Sequence, residues 1–86
     1  MVNAPWRTGT TIRVTKHFTN RYVRRWDWTP AILQDAIAHA YRVERSGKSK
    51  FEIYILKDGY KKIVAHYDRE EDTLLCITGS EGGYHV

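Results

Sequence analysis

The dipeptide Asp58-Gly59 constrains this chain more than any other feature. It separates two strand-like runs, Lys50 to Lys57 and Tyr60 to Tyr67, and Asp-Gly is a preferred filling of the two-residue type I′ turn, where both central residues take positive φ. A β-hairpin with Lys57 opposite Tyr60 is expected. Counting back sets Ile55 opposite Lys62, Tyr54 opposite Ile63, Ile53 opposite Val64 and Phe51 opposite His66. Side chains alternate along a strand, so this register puts Phe51, Ile53, Ile55 and Val64 on one face, with Tyr60, Lys62 and His66 toward its ends. Lys50, Glu52, Tyr54, Leu56, Lys61, Ile63, Ala65 and Tyr67 fall on the other. The first face is expected to pack on helices and the second to form an open, basic and aromatic surface.

The remaining elements follow from periodicity. From Thr15 the spacing is helical, with Phe18, Tyr22 and Trp26 on one side as core. His17, Arg21, Arg24 and Trp28 fall within about 60° of one another on a helical wheel, away from that stripe, with Arg25 at the edge. Thr29-Pro30 reads as the cap and first residue of a second helix running to about Ala40, apolar at Ile32, Leu33, Ala36, Ile37 and Ala40. Further strands are expected at 41–44 and 73–78, with an acidic turn at 68–72. The predicted fold is α+β: two N-terminal helices packed on a three- to four-stranded antiparallel sheet. Residues 1–14 read as an extended arm with a short edge strand at 11–14, residues 15–79 as the domain, and 80–86 as a flexible tail.

Eighty-six residues suffice for one small core, burying about 60% of the surface the unfolded chain exposes. A single cysteine, Cys76, forms no internal disulfide and reads as a buried apolar residue; the four-ligand zinc spacings are missing, and neither a metal nor a cofactor is expected. No run approaches membrane-spanning length and no apolar targeting segment opens the chain, so a cytoplasmic protein is expected. The net charge of +4 hides an asymmetry: six bases and no acid occupy residues 1–26, and a second basic block occupies 42–62. Cations interleaved with aromatics suit a phosphate backbone, whose counterions are released on binding.

Lys16-His17 with Arg21 and Arg25, followed by a short amphipathic helix, a Lys- and Tyr-bearing strand, a strand ending in Asp68 and a last apolar strand with Thr78, resembles a family of small toxin-like domains grouped with the RelE/ParE superfamily of toxin–antitoxin ribonucleases. The resemblance spans 15–79. It implies a compact RelE-like sheet that cradles RNA, with His17, Arg21 and Arg25 matching the family's His and paired Arg positions. This chain departs from the family with Trp26-Asp27-Trp28 after the second Arg, and with Gly79-Ser80-Glu81 where relatives carry an Arg.

Metal-independent RNA cleavage needs a base for the 2′-hydroxyl, cations for the charged phosphorane and an acid for the leaving oxygen. His17, Arg21, Arg25 and His66 supply these types as candidate catalytic residues, and Arg24, Lys50, Tyr54, Lys61 and Tyr67 are candidate nucleic-acid contacts. The expected function is a toxin-like RNA-binding domain, with metal-independent ribonuclease activity left open. The alternatives are a non-catalytic nucleic-acid binder and a protein-interaction module on the same scaffold. RNA or the ribosome, an acidic antitoxin and a second copy of the chain are the expected partners, with no membrane among them.

Overall fold

The computed structural model describes residues 4–7 and 9–81. Five strands form one mixed sheet: β1 (Thr11–Val14), β2 (Arg42–Arg45), β3 (Lys50–Leu56), β4 (Tyr60–Asp68) and β5 (Thr73–Glu81), in the order β1-β5-β4-β3-β2. Strands β2 to β5 are antiparallel in sequence, while β1 lies parallel to β5. The α+β class holds, but the sheet is wider and mixed, and a strand precedes the helices. Residues 11–14 enter the sheet as a parallel partner of β5, which the connection permits because it runs through the helices and strands β2 to β4 before β5 begins. Strand β5 continues through Gly79, Ser80 and Glu81; residues 82–86 of the expected tail lie outside the described residues.

The first helix has three pieces, α1 (Lys16–Phe18), a π-helical run (Thr19–Val23) and α2 (Arg24–Trp26), and the second is α3 (Pro30–Ala38). Each start follows its sequence signal. The Thr15 hydroxyl accepts from the Phe18 N–H at 3.0 Å, and the Thr29 hydroxyl accepts from Ile32 N–H at 3.1 Å with Pro30 in the first turn. Phe18, Tyr22 and Trp26 stack successively, with centroids 5.6 and 5.4 Å apart, and Phe18 is fully buried.

Trp28 departs from the sequence reading: it is only 6% exposed and belongs to the core. The helix ends at Asp27, whose φ of 58° is left-handed, and the Trp28 N–H bonds the Val23 carbonyl at 3.1 Å. This Schellman turn carries Trp28 off the helical wheel and back under Trp26, 5.0 Å away. A left-handed aspartate at a helix C-terminus is doubly unfavourable, through its Cβ and its negative charge. Asp27→Gly is therefore expected to stabilise the protein by about 1 kcal/mol, read as a melting temperature raised by about 5 °C.

The hairpin turn has the expected residues but a different length. Asp58 and Gly59 take φ of 56° and 100°, yet Leu56 pairs with Tyr60, so Lys57, Asp58 and Gly59 together form the connection. That single extra residue rotates β4: Ile53 faces Ile63 and Phe51 faces Ala65. Phe51, Ile53 and Ile55 point to the helices as expected, but Lys61, Ile63 and Ala65 join them, while Tyr60, Lys62, Val64 and His66 take the opposite face. The longer turn wins because it buries Ile63 and Ala65 instead of one valine flanked by lysine and histidine.

The helices and the N-terminal segment cover one sheet face. Phe18 and Trp26 sit over Gly79, Leu33, Ala36 and Ile37 fill the middle, and Trp6 packs edge-on against Phe51. Cys76 is buried, and burial pushes its thiol up to about 12. Beside Trp6, the Thr10 and Tyr67 hydroxyls both donate to Asp72 Oδ1 at 2.8 Å, clamping the N-terminal segment to the β4–β5 turn. These bonds, Tyr67 first, lower the Asp72 carboxyl below its ordinary range. A carboxylate depressed in the folded state stabilises above its unfolded range and loses that contribution as pH falls through the folded value. The melting temperature of wild type is thus expected to fall more steeply than that of Asp72→Asn as pH is lowered from 5 toward about 2, a comparison made by calorimetry across that window.

Candidate nucleic-acid interface

Among the described residues no helix covers the second sheet face, and the strand register lays its side chains out in rows. Arg13 pairs with Leu75, Leu75 with His66, and His66 with Lys50, so one row crosses four strands as Arg13, Leu75, His66 and Lys50. The next row is Thr78, Val64, Glu52 and Glu44, and the third is Ser80, Lys62, Tyr54 and Arg42. Neighbours within a row stand about 4.8 Å apart, and the two cationic rows, four residues apart along β3, lie about 13 Å from each other. Arg13, Lys50, His66 and Arg42 are exposed, and Lys62 and Tyr54 are half-buried.

Around the third row the aromatics cluster. The Tyr54 ring lies 6.3 Å from both Tyr41 and Tyr60, and the Arg42 guanidinium stands over it at 5.5 Å. The Tyr54 hydroxyl donates to Glu52 Oε1 at 2.7 Å, and this bond to a carboxylate, with some desolvation, pushes the phenol up to about 12. Tyr54 is accordingly a group that orients Glu52, and a poor proton donor.

His17 reaches this face from the rim. Strand β1 ends opposite Cys76, so β5 runs on with no strand beyond it, and there His17 Nε2 lies 3.5 Å from Thr78 Oγ1. His66, 3.5 Å from Ser49 Oγ through Nδ1, is the diagonal neighbour of that row. A groove of about 1210 Å³ at the His66 end is lined by Arg13, Leu75 and His66 together with Asp68, Glu70 and Glu71 of the acidic turn.

The other candidate residues divide between surfaces. Arg21 and Arg24 are exposed on the first helix with no acceptor among the described residues, whereas Arg25 pairs with Glu81, which also accepts from the Trp26 indole N–H. Lys61 lies on the helix-covered face and not on the open one, 5% exposed. Its ammonium donates to the Lys57 and Asp58 carbonyls at 2.7 Å each and stands over Trp26 and Trp28. Tyr67 is likewise on the covered side, held by Trp6 and Asp72. Lys50 and Lys61 therefore occupy opposite faces and do not converge.

Sequence reasoning missed Arg13, Lys62 and Arg42 as members of this surface. The signal was in β4 itself: Ile63 and Ala65 are the more apolar alternate, and matching them to Phe51, Ile53 and Ile55 exposes Lys62 and His66. Among the described residues no three His, Cys, Asp or Glu side chains come together as a metal site, and no helix is long and apolar enough to cross a membrane.

Fold and surface together define an α+β domain with one helix-covered and one open, mixed-charge sheet face. Comparison of the chain with protein-family models, with curated proteins and with solved structures finds no match.

Proposed function

We propose that this protein binds RNA on the open face of its sheet. The observation that supports the reading is the register that aligns Arg13, His66 and Lys50 in one row and Lys62, Tyr54 and Arg42 in another, on the face no helix covers. Cations spaced across strands suit successive phosphates, and tyrosines beside them suit unstacked bases, the combination by which sheets take single-stranded RNA. Lys16, Arg21 and Arg24 extend the positive charge along the first helix. The toxin reading rests on the sequence resemblance, and an acidic antitoxin is the protein partner the same cations would attract.

Fluorescence anisotropy with a labelled single-stranded RNA tests this. Affinity is expected to fall with salt, and Lys50→Ala and Lys62→Ala are each expected to weaken binding and to reduce the slope of log K against log salt by about 0.7. Salt-independent affinity, or variants that bind as wild type, would overturn the reading.

One arrangement favours cleavage as a second reading: His66 stands beside Lys50 with Arg13 in the same row beyond Leu75, and His17 reaches the adjacent row. One imidazole takes the proton of the 2′-hydroxyl, the 2′-oxygen bonds to phosphorus, and the 5′-oxygen leaves with a proton from the other imidazole while Arg13 and Lys50 balance the phosphorane charge. Products ending in 2′,3′-cyclic phosphate, lost in both His66→Ala and His17→Ala, are expected. RNA that stays intact under stoichiometric protein removes this reading and leaves the binding one standing.

A further inference from the structure

We infer that Glu52 is the base-reading residue of this surface and that it selects guanine; the inference rests on the RNA-binding reading above. Glu52 lies between the two cationic rows, at the centre of the open face, where a carboxylate repels phosphate. Its neighbour Glu44 is neutralised by Arg42. Glu52 is paired more loosely: Lys62 Nζ stands 4.0 Å from Oε2, an ion pair beyond hydrogen-bond length, and the side chain retains 27% of its exposure. Such a group meets bound RNA favourably where the strand presents hydrogen-bond donors, which are the 2′-hydroxyls and the N–H groups of the bases, and only the bases offer two side by side.

The carboxylate is aimed as well as exposed. Tyr54 holds Oε1 through its hydroxyl at 2.7 Å, leaving Oε2 and the second lone pair of Oε1 for a ligand. The Tyr54 ring, whose hydroxyl holds that fork, lies 6.3 Å from both Tyr41 and Tyr60, so a base stacked in the aromatic cluster brings its edge toward Glu52. Two parallel acceptors match two parallel donors. Guanine supplies them as adjacent N1–H and N2–H groups; uracil offers one N–H between two carbonyls, and cytosine and adenine offer an amino group beside a ring-nitrogen acceptor. The flanking cations hold the phosphates on either side while the acid between them reads the base.

The test uses the whole protein and four labelled nine-nucleotide RNAs, oligo(U) with guanine, inosine, adenine or cytosine at the centre, beside oligo(U) itself. Guanine is expected to bind about tenfold tighter than adenine, cytosine or uracil. Inosine, which keeps N1–H and lacks the 2-amino group, should fall between. Glu52→Gln should bring the guanine oligomer to the level of the others, and Tyr54→Phe, which frees the carboxylate while leaving it charged, should reduce the preference in part. Equal binding of all oligomers by wild type, or a guanine preference that persists in folded Glu52→Gln, overturns the inference while the RNA reading stands. Failure of every oligomer to bind overturns both.

Discussion

Lys61→Ala is expected to destabilise the protein by about 3 kcal/mol, lowering the melting temperature by about 15 °C. The ammonium is out of water, two carbonyl oxygens from the hairpin turn accept its protons at 2.7 Å, and the faces of Trp26 and Trp28 lie 5.5 and 5.8 Å away. Hydrogen bonds from a charged donor and desolvated cation–π contacts are individually among the stronger polar interactions, and here they share one donor. Alanine removes all of them and leaves space beneath two tryptophans. Lys61→Met keeps the stem and the packing but leaves the Lys57 and Asp58 carbonyls without their donor, so about half the loss is expected. Urea unfolding followed by tryptophan fluorescence measures both. An alanine variant within 0.5 kcal/mol of wild type would mean that the lysine points to solvent, as in the two-residue hairpin.

Gly79→Ala carries a prediction whose sign separates two pictures of the chain's end. At the start of a flexible tail, alanine would be neutral. In strand β5 the added Cβ would stand 2.6 Å from the Lys62 carbonyl oxygen and 3.5 Å from the Phe18 and Trp26 rings. The carbonyl is backbone of a paired strand and the rings are held in the aromatic stack, so neither yields cheaply. A loss of about 2–3 kcal/mol is expected, the range for overpacking a closed site. Chemical denaturation gives the number, and an unchanged midpoint would place residue 79 outside the sheet.

Much of the local structure was legible. Thr15 and Thr29 mark helix starts because a hydroxyl before an apolar repeat has orphan N–H groups to accept from, and that logic needs no tertiary information. Leu33, Ala36, Ile37 and Ala40 are buried as their spacing indicates. Of the candidate site, Lys50 and Tyr54 lie on the open face as read, while Lys61 and Tyr67 changed sides with the rest of β4. His66 moved the other way and gained Lys50 beside it and Arg13 one strand beyond Leu75, neither of them close to it in sequence.

The sequence by itself determined that a turn forms at Asp58-Gly59, that two helices begin at Thr15 and Thr29, and that β3 turns Phe51, Ile53 and Ile55 inward. These depend on residues within a few positions of one another, where capping, positive φ and periodicity act. Only the tertiary structure decided that the turn spans three residues, that β1 joins β5 in parallel, and that an open face gathers Arg13, His66, Lys50, Lys62 and Glu52. The reason is the two-residue period of a strand. One residue more or less in a turn leaves the local chemistry almost unchanged but exchanges every side chain between faces, and the choice falls to whichever face buries more apolar area against helices distant in sequence.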